Sequence, residues 1–449
     1  MRESLSAILT GRSPFRFHDG NLDFRGLDAA DLSDYAGQLV LWPMRNDALS
    51  VRRLFEALCS GVVPVVLPKA TAPQKLIDLK AKYPGFGFFN GRAIEAAAEP
   101  ARADERAFLV LMTSGSTGAP KLLAVDEQSL WRGIAAIHAA QSLENVASTG
   151  IMLPLAYSYA LVNQLLWAAT YGRECFCLPG LIDPAGTLEN IREHDVQMLC
   201  LVAHQIRTLR SMGLHEEQLD SVRVVNFAGA PFPMQSLPEL KRMFPRAWLF
   251  NNYGCTEAMP RLTVTRVHDE SHPVTLVGKP IGSIELRIAS REAVGPIEFR
   301  GSSTSLGLVQ RDGSIQPHGD WIASGDLGRM QDGQLHVLGR HDQVIKVAGE
   351  RFSLMEIENA LLATGFEQAL VWQDTNDESG PVVAIVRAVT PIASAQIARQ
   401  LRQRLPQPLW PKAIFAADRW PLTAGGKTDR VVLQRQAADR SLPLIFPAM

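Results

Sequence analysis

Long apolar runs are missing from this sequence. No uncharged apolar segment in the 449 residues reaches the ~18 residues that a membrane-spanning helix requires. The first residues, MRESLSAILTGRSPFRF, carry charges and a proline where a signal peptide needs an apolar centre. We therefore expect no membrane insertion and a cytoplasmic location.

An excess of either charge is also missing. The formal net charge is -1 and 46% of the residues are hydrophobic. This balance is typical of a globular chain with two or three well-filled domains. It gives no electrostatic reason to expect a nucleic acid as partner.

Cysteine patterns that bind metal are missing as well. No CxxC pair or Cys/His cluster predicts zinc among the five cysteines, which are Cys59, Cys175, Cys177, Cys200 and Cys255. Two of them lie in an apolar run, where cysteine behaves as a small hydrophobic residue. Structural thiols in a reducing compartment are therefore the favoured interpretation.

Strands alternate with helices from about residue 37 to residue 260. A helical pattern at 48–61 lies between the apolar segments GQLVLWPM and VVPVVLP, and Gly61 ends it. The alternation continues through TGIMLPLAY, ECFCLPG, VQMLCLVA, VRVVNFAGAP and AWLFNNYG. Such alternation predicts parallel, doubly wound sheets and an α/β fold.

The pattern changes after about residue 260. Short strands separated by Gly and Asp turns, such as GSIELRIAS and GPIEFRG, predict a small antiparallel barrel or sheet. From about residue 343 a mixed pattern returns, with the helix SLMEIENALLATG and the strands QALVWQ and PVVAIVRAV. We place a domain boundary near Asp342, which predicts a large domain over 1–341 and a small one over 343–449.

One loop is rich in glycine and hydroxyl groups. The strand AFLVLM leads into TSGSTGAPK at 113–121, where backbone N–H groups, hydroxyls and Lys121 suit a polyphosphate. The Walker A pattern is absent, because this loop ends Gly-Ala-Pro-Lys and TAGGKT at 423–428 has Pro421 where the first glycine is required. A P-loop NTPase is excluded, and a flexible linker remains the alternative for the loop taken alone.

The loop resembles the phosphate-binding loop of the adenylate-forming superfamily, which includes acyl- and aryl-CoA synthetases, luciferases and nonribosomal peptide adenylation domains. The resemblance continues in the family's order through FAGAP (227–231), NNYGCTEA (251–258), SGDLGRM (324–330), GRHDQVIKVAGERFSLMEIE (339–358) and PLTAGGKTDR (421–430). It implies a large N-terminal domain of doubly wound α/β subdomains plus a small β-barrel, followed by a small, mobile α+β C-terminal domain.

The resemblance implies that a carboxylate attacks the α-phosphorus of ATP and releases pyrophosphate. Thr256 would donate to the α-phosphate, and Glu257 would hold Mg²⁺, which prefers oxygen ligands; a solvated surface acid is the alternative for Glu257. The β- and γ-phosphates would be held by the loop residues Thr113, Ser114, Gly115, Ser116, Thr117, Gly118 and Lys121.

The nucleoside contacts are implied in the same way. Asp326 would accept both ribose hydroxyls, Arg340 would lie near the ribose and phosphates, and Tyr253 would stack on the adenine. The other residues expected at the nucleotide are Gly229, Ala230, Pro231, Asn252 and Gly254.

Two further residues are implied by the family's C-terminal motifs. Lys427 would bridge the acid's carboxylate and the α-phosphate in the adenylating conformation, with an ordinary surface lysine as the alternative. Asp342 matches the hinge about which the small domain would rotate before a thiol attacks; the alternative is a plain turn residue. In that second state, residues 348–351 would border the pantetheine channel.

The sequence departs from the family in two places. The segment before residue 113 is short, so we expect a trimmed first subdomain. In LPLAYSYAL (153–161), residues 156–160 offer no carboxylate for a substrate ammonium, which disfavours an α-amino acid. We expect an uncharged aryl or acyl acid, with Ser158 as a candidate contact for a ring hydroxyl; the expected pocket residues are Tyr157, Ser158, Asn226 and Met259.

The main interpretation is an AMP-forming acid–thiol ligase that uses ATP, Mg²⁺ and either coenzyme A or the phosphopantetheine of a carrier protein. A second interpretation stops at the acyl-adenylate, as luciferase-like relatives do. A third is a catalytically inactive homologue that binds nucleotide or acyl groups. The intact Lys121, Glu257, Asp326 and Lys427 argue against the third.

Overall fold

The computed structural model describes residues 1–19, 30–69, 71, 73–113, 121–211, 217–290, 293–347, 350–373, 381–388, 392–422 and 428–447. The chain divides into two compact units. The first comprises Met1–Leu286, Phe299–Ile322 and Gly333–Leu335, and the second comprises Arg287–Glu298, Ala323–Asp332 and His336–Met449. The predicted domain boundary at Asp342 lies inside the second unit and remains a prediction.

The strands follow the order of the predicted apolar segments. In chain order they are β1 (Arg16–His18), β2 (Leu39–Met44), β3 (Val63–Pro68), β4 (Gly87–Phe89), β5 (Ile94–Glu95), β6 (Ala107–Thr113), β7 (Lys121–Asp126), β8 (Ser148–Ile151), β9 (Glu174–Cys177), β10 (Met198–Leu201), β11 (Val224–Phe227), β12 (Trp248–Tyr253), β13 (Thr263–Arg266), β14 (Leu276–Pro280), β15 (Glu285–Ile288), β16 (Gly295–Arg300), β17 (Gly307–Val309), β18 (Ile315–Pro317), β19 (Ile322–Gln331), β20 (Gln334–Arg340), β21 (Val344–Val347), β22 (Glu350–Ser353), β23 (Gln368–Gln373), β24 (Val382–Arg387), β25 (Ala413–Ala416) and β26 (Leu444–Pro447).

The helices lie between these strands. They are α1 (Arg2–Leu9), α2 (Ala48–Cys59), α3 (Pro73–Lys82), α4 (Glu127–Ala140), α5 (Ser158–Ala160), α6 (Trp167–Tyr171), α7 (Pro184–Glu193), α8 (Ala203–Ser211), α9 (Leu237–Met243), α10 (Leu354–Leu362), α11 (Ser394–Arg404) and α12 (Arg430–Ala438). A π-helical segment, Leu161–Leu166, joins α5 to α6.

Two sheets carry the first unit. One has the strand order β18-β17-β7-β6-β3-β2-β4-β5, in which β2, β3, β4 and β6 pair in parallel. The other runs β1-β9-β8-β10-β11-β12 in parallel and continues through antiparallel β13 and β14. The predicted doubly wound α/β fold is confirmed.

The parallel strands are apolar on both faces, because helices cover both sides of such a sheet. Residues 39–42 of β2 are all buried, and the largest buried side chains of this unit include Trp42, Phe55 and Trp167. Helix starts are fixed by aspartates: Asp47 accepts from the Ser50 amide at 2.7 Å to cap α2, and Asp126 caps α4 directly after β7.

The second unit is smaller and of α+β type, as predicted. Its strands follow the orders β20-β19-β16-β15, β21-β22 and β23-β24-β25-β26, and α10 packs against β23. Among the described residues these pairings do not close into the predicted small barrel. In the same part of the chain, no helix has the length and apolar character that crossing a membrane requires.

A buried carboxyl in the second unit makes stability depend on pH. The Val371 amide donates to Glu358 at 3.0 Å. Burial raises the pKa of Glu358 from 4.5 to about 6, although Arg430 acts in the opposite direction. The folded state therefore holds this proton more tightly than the unfolded chain, so the stabilisation is complete below pH 4.5 and is lost as pH rises through about 6.

We expect Glu358→Gln to remove this dependence and to raise stability above pH 6 by about 1–2 kcal/mol. The amide oxygen can still accept from Val371, and no charge is buried. Thermal unfolding from pH 4 to pH 8 measures the difference from the wild type. Glu367→Gln is the matched control, and equal pH profiles for Glu358→Gln and the wild type would contradict the assignment.

Candidate active site

The ends of the predicted phosphate loop lie side by side. Strands β6 and β7 are antiparallel, with Thr113 opposite Lys121. Thr113 is half-buried and Lys121 is exposed. The loop between them contains Ser114, Gly115, Ser116, Thr117 and Gly118, which lie outside the described residues. The strand pairing thus places Thr113 and Lys121, the first and last residues of the motif, opposite each other.

The next two motifs lie at adjacent strand ends. Strands β11 and β12 are parallel neighbours, with Phe227 opposite Asn251. The exposed turn Gly229-Ala230-Pro231 follows β11. Tyr253 ends β12, and the segment from Gly254 to Glu257 follows it. Carboxyl ends of parallel strands meet at one edge, which is where α/β sheets bind ligands.

A tight turn carries Thr256 and Glu257. The residues Thr256–Ala258 form one turn of 3₁₀-helix, after which Met259 adopts φ +51. A left-handed conformation costs a bulky residue about 1–3 kcal/mol. Met259, a predicted pocket residue, is fully buried, and its packing fixes the backbone behind the two half-buried motif side chains.

The predicted acid pocket and the predicted α-phosphate contact meet in this structure. Ser158 Oγ lies 3.4 Å from Thr256 Oγ1. Ser158 opens α5, and the preceding Tyr157 is half-buried, which raises the pKa of its hydroxyl. Two motifs that are far apart in the sequence therefore share one small region.

Ser305 and His318, which belong to none of the sequence motifs, support the backbone of Glu257. The Ser305 amide donates to the Glu257 carbonyl at 2.8 Å, and Ser305 Oγ lies 2.8 Å from His318 Nε2. Burial lowers the pKa of His318, and the Glu257 charge only partly opposes this. Burial thus favours the neutral imidazole of His318.

A cavity of about 310 Å³ lies next to this support. Its lining residues are Asp126, Ser129, Arg300, Gly301, Thr304, Ser305, Leu306, His318, Gly319, Asp320 and Ile322.

Asn226 and Asn252, predicted at the acid and the nucleotide, belong to a buried amide network. Gln141 Nε2 donates to both Asn226 Oδ1 and Asn252 Oδ1, and Asn252 Nδ2 donates to Asn226 Oδ1 at 2.9 Å. Arg261 Nη1 donates to Asn252 Oδ1, and its Nη2 donates to Asn163 Oδ1 at 2.9 Å. None of the sequence motifs contains Gln141, Asn163 or Arg261.

The second unit holds the predicted ribose residue. Arg340 Nη1 donates to Asp326 Oδ1 at 3.2 Å, and the Asp326 amide donates to Ser324 Oγ at 3.1 Å. Gly325 adopts φ +80 directly against the Arg340 guanidinium, where a side chain would be strained. Asp326 and Arg340, which the motifs assign to the nucleotide, thus lie within hydrogen-bond distance of each other.

Two predicted residues are described in part or not at all. Lys427 lies outside the described residues. Leu422 and Thr428, which are described, form an antiparallel bridge with each other. Trp420 Nε1 donates to Thr428 Oγ1 at 3.0 Å. The backbone of Asp342 lies in the 3₁₀ turn His341–Gln343, and its side chain is outside the described set.

Comparison with known proteins identifies the family. The family model described as "AMP-binding enzyme" matches residues 45–309, more than half of the chain. The chain belongs to this family. The predicted relationship to the adenylate-forming superfamily is thereby confirmed.

Two curated relatives agree with an acid–thiol ligase. A 2-succinylbenzoate–CoA ligase from Oceanobacillus iheyensis is 27% identical, over 72% of this chain and 68% of its own length. A D-alanine–D-alanyl carrier protein ligase from Staphylococcus aureus (strain JH9) is 30% identical over 48% of this chain. The match spans 47% of that ligase's length, less than half.

A solved structure shares the fold. The o-succinylbenzoate CoA synthetase of Bacillus subtilis, in complex with its acyl-adenylate intermediate, superposes with a TM-score of 0.79 at 21% identity. The superposition covers 96% of this chain and 97% of that chain.

The turn at Gly254 gives a steric prediction. A Cβ at this position would lie 2.0 Å from the Pro260 carbonyl oxygen and 2.8 Å from Arg261 Cα. We expect Gly254→Ala to force these backbone segments apart, at about 1–3 kcal/mol of stability, and to displace Thr256. Thermal unfolding and ATP–pyrophosphate exchange measure the two effects.

Gly319→Ala is the control, because a Cβ there meets only the Trp321 carbonyl at 3.8 Å. Equal stability and exchange in both variants would show that the close backbone approach at Gly254 has no structural consequence.

Proposed function

We propose that this protein activates a carboxylic acid with ATP and then transfers the acyl group to a thiol. In the first step a carboxylate oxygen attacks the α-phosphorus, the bond to the β-phosphate oxygen breaks, and pyrophosphate leaves. In the second step a thiol attacks the acyl carbon, and AMP and a proton are released. The contact between Ser158 and Thr256 carries the proposal, because it joins the acid-pocket motif to the α-phosphate motif.

The phosphates and Mg²⁺ have suitable partners in the first unit. Lys121 and Thr113 lie opposite each other at the loop ends, and the loop amides suit phosphate oxygens. Mg²⁺ at nucleotide sites is held by one or two carboxylates together with phosphate oxygens and water. Glu257 supplies such a carboxylate, and the ion would neutralise charge on the phosphates.

The nucleoside would be held by the residues that the family resemblance assigns. Asp326, which Arg340 orients, would accept the ribose hydroxyls. Tyr253 and the turn Gly229-Ala230-Pro231 would contact the adenine, with Asn252 and Gly254 at the adjacent strand end. The exposure of this turn supports its availability for a ligand.

Lys427 would act on the carboxylate and the α-phosphate, since a fixed ammonium stabilises charge that develops in the transition state. A small domain beginning after Asp342 would then rotate about that residue. Residues 348–351, in part outside the described set, would face the pantetheine thiol of coenzyme A or of a carrier protein. Hinges need only a few residues at the end of an element, and the 3₁₀ turn that contains Asp342 is such a place.

The acid would be an aryl or acyl acid without an α-ammonium group. One relative's name contains D-alanine, but here Ser158 and Tyr159 occupy the positions between Tyr157 and Ala160, and neither is a carboxylate. Arg261, buried close to Tyr159, would repel an ammonium group. A cytoplasmic location is part of the proposal, supported by the five free thiols.

Replacement of Lys427 tests the adenylation step. We expect Lys427→Ala to reduce ATP–pyrophosphate exchange by about 10²- to 10³-fold, the usual cost of losing one preorganised group at developing charge. Exchange is measured across a panel that includes benzoates, 2-succinylbenzoate, aliphatic acids and amino acids.

Lys412→Ala is the control, because Lys412 is an exposed lysine of the same unit. No exchange with any acid would sink the proposal and favour an inactive homologue. Exchange without consumption of coenzyme A or carrier thiol would remove only the second step.

Ser158 tests the nature of the acid. If its hydroxyl contacts a ring hydroxyl, Ser158→Ala will lower kcat/KM for hydroxybenzoates relative to benzoate by about 2- to 10-fold, the value of one neutral hydrogen bond. Ser283→Ala, at an exposed serine bonded to Ser302, is the matched control. An unchanged preference would show that Ser158 does not select hydroxylated rings.

A further inference from the structure

Arg261 is a buried cation without a counter-ion. Its side chain is 2% exposed, and in the described part of the chain no carboxylate forms an ion pair with it. Its hydrogen-bond acceptors are the neutral amide oxygens of Asn252 and Asn163. Burial lowers the pKa of the guanidinium, but an arginine stays charged at neutral pH.

Two titratable groups, both neutral at pH 7, face this cation among the residues that the structure describes. Tyr159 and Cys200 are the titratable groups that face it. Burial raises the pKa of the Cys200 thiol to about 12 and raises the pKa of Tyr159 well above its ordinary value. Both groups are therefore neutral at pH 7, and Arg261 retains its full charge.

Leaving a charge unpaired in a protein interior is costly. A core arginine without a carboxylate partner is therefore a candidate site for an anionic ligand.

Arg261 lies on the same local structure as the proposed reaction centre. It follows Thr256 by a single tight turn, in which Gly254 closely approaches Pro260 and Arg261. The Arg261 guanidinium carbon lies 6.0 Å from the ring centre of Tyr159. Ser158, the residue next to Tyr159, contacts Thr256. The segment 158–163 therefore extends from the contact with Thr256 to the contact with Arg261.

The backbone of this segment is specialised for that arrangement. Asn163 lies in the π-helical stretch Leu161–Leu166, and its Nδ2 donates to the Tyr159 backbone carbonyl at 2.8 Å. The side-chain Oδ1 of Asn163 accepts from Arg261. π-helical turns are rare and occur mainly at functional sites.

Polar groups beside the cation are also without partners. The Tyr159 hydroxyl is buried without a contact that meets hydrogen-bond distance and angle, although the Cys200 thiol and Asn252 are near it. The side-chain Oε1 of Gln141 is also buried without a hydrogen-bond partner. The Arg261 guanidinium carbon lies 6.0 Å from the centre of the Tyr159 ring. A hydroxyl donor and a guanidinium on neighbouring side chains suit a carboxylate, which accepts several hydrogen bonds.

We propose that Arg261 and the Tyr159 hydroxyl bind a second carboxylate of the acid substrate, so that the protein activates dicarboxylic acids. The inference rests on the proposed function and deepens it. One carboxylate is placed at Thr256 for adenylation, and the other takes the place of the missing counter-ion. This replaces the expectation of an uncharged acid, because a neutral acyl chain would leave the cation unpaired.

The test compares acids that differ only in the second carboxylate. ATP–pyrophosphate exchange is measured with glutaric against pentanoic acid, adipic against hexanoic acid, and isophthalic and terephthalic against the matching toluic acids. The wild type is expected to prefer a dicarboxylic acid by at least about 10-fold in kcat/KM, the range of a charge-assisted hydrogen bond. This comparison needs no variant and so does not depend on folding of a mutant.

Variants then assign the preference to Arg261. Arg261→Gln is expected to raise KM for the preferred dicarboxylic acid by about 10- to 100-fold while KM for ATP changes little. Arg261→Lys keeps the charge and should retain part of the preference. Arg266→Gln is the matched control, since Arg266 is exposed and packs on Trp248. Thermal unfolding and ATP binding establish that each variant is folded.

The outcomes separate this inference from the proposed function. Exchange that favours the monocarboxylic acid of every pair would overturn the inference and leave adenylation standing. A dicarboxylic preference that survives Arg261→Gln would overturn the assignment to Arg261. If no acid supports exchange, both proposals fail together.

Discussion

The parallel pairing of β11 with β12 is the contact on which the candidate site depends. It brings Asn226 and Asn252 within hydrogen-bond distance of each other. It also lets the turns after both strands emerge at one edge of the sheet. Backbone hydrogen bonds between buried strands are hard to shift, so this edge is a rigid support. The turn Gly229-Ala230-Pro231 and the turn that carries Thr256 are loops whose positions are set by these two strands.

A network of side-chain hydrogen bonds extends from these two strands. Gln141 comes from the end of α4, Asn163 from the π-helical segment and Arg261 from the turn after β12, and their amides and guanidinium join the two strand residues. Each buried donor of such a network stabilises it only while its acceptor stays in place. The network therefore couples the helix that carries Ser158 to the turn that carries Thr256, so one loosened member affects both.

Much of this could be predicted from the sequence. The alternation of strands and helices predicted the α/β sheets. The motifs selected Thr256, Glu257, Asp326 and Arg340 as candidates because each motif is a contiguous stretch of sequence. The domain division was less accessible. The boundary predicted at Asp342 assigns the segments 287–298 and 323–332 to the large domain, but they group with the second unit. A compact unit depends on long-range strand pairings, which a local sequence pattern does not contain.

The buried network could not be predicted, for a physical reason. Gln141 contacts Asn226 and Asn252 across 85 and 111 residues, so no local spacing signals the contact. An arginine shortly after a catalytic motif, as Arg261 is, ordinarily suggests a solvated side chain, because charged residues are seldom fully buried. Only the fold removes it from water, and only the fold reveals that no carboxylate of the described residues pairs with it.

Departures from local rules are concentrated in this part of the first unit. Met259 adopts a left-handed conformation, residues 161–166 form a π-helix, and Arg261 is a buried charge that forms no ion pair with any residue in the described ranges. Each lowers stability when considered alone, and a core selected for stability would favour an ordinary helix and an apolar side chain. Their coincidence around Thr256 and Ser158 is therefore better explained by ligand binding than by folding. Under the proposed function, the acid and the nucleotide would complete interactions that the protein alone leaves unfinished, which would offset these costs.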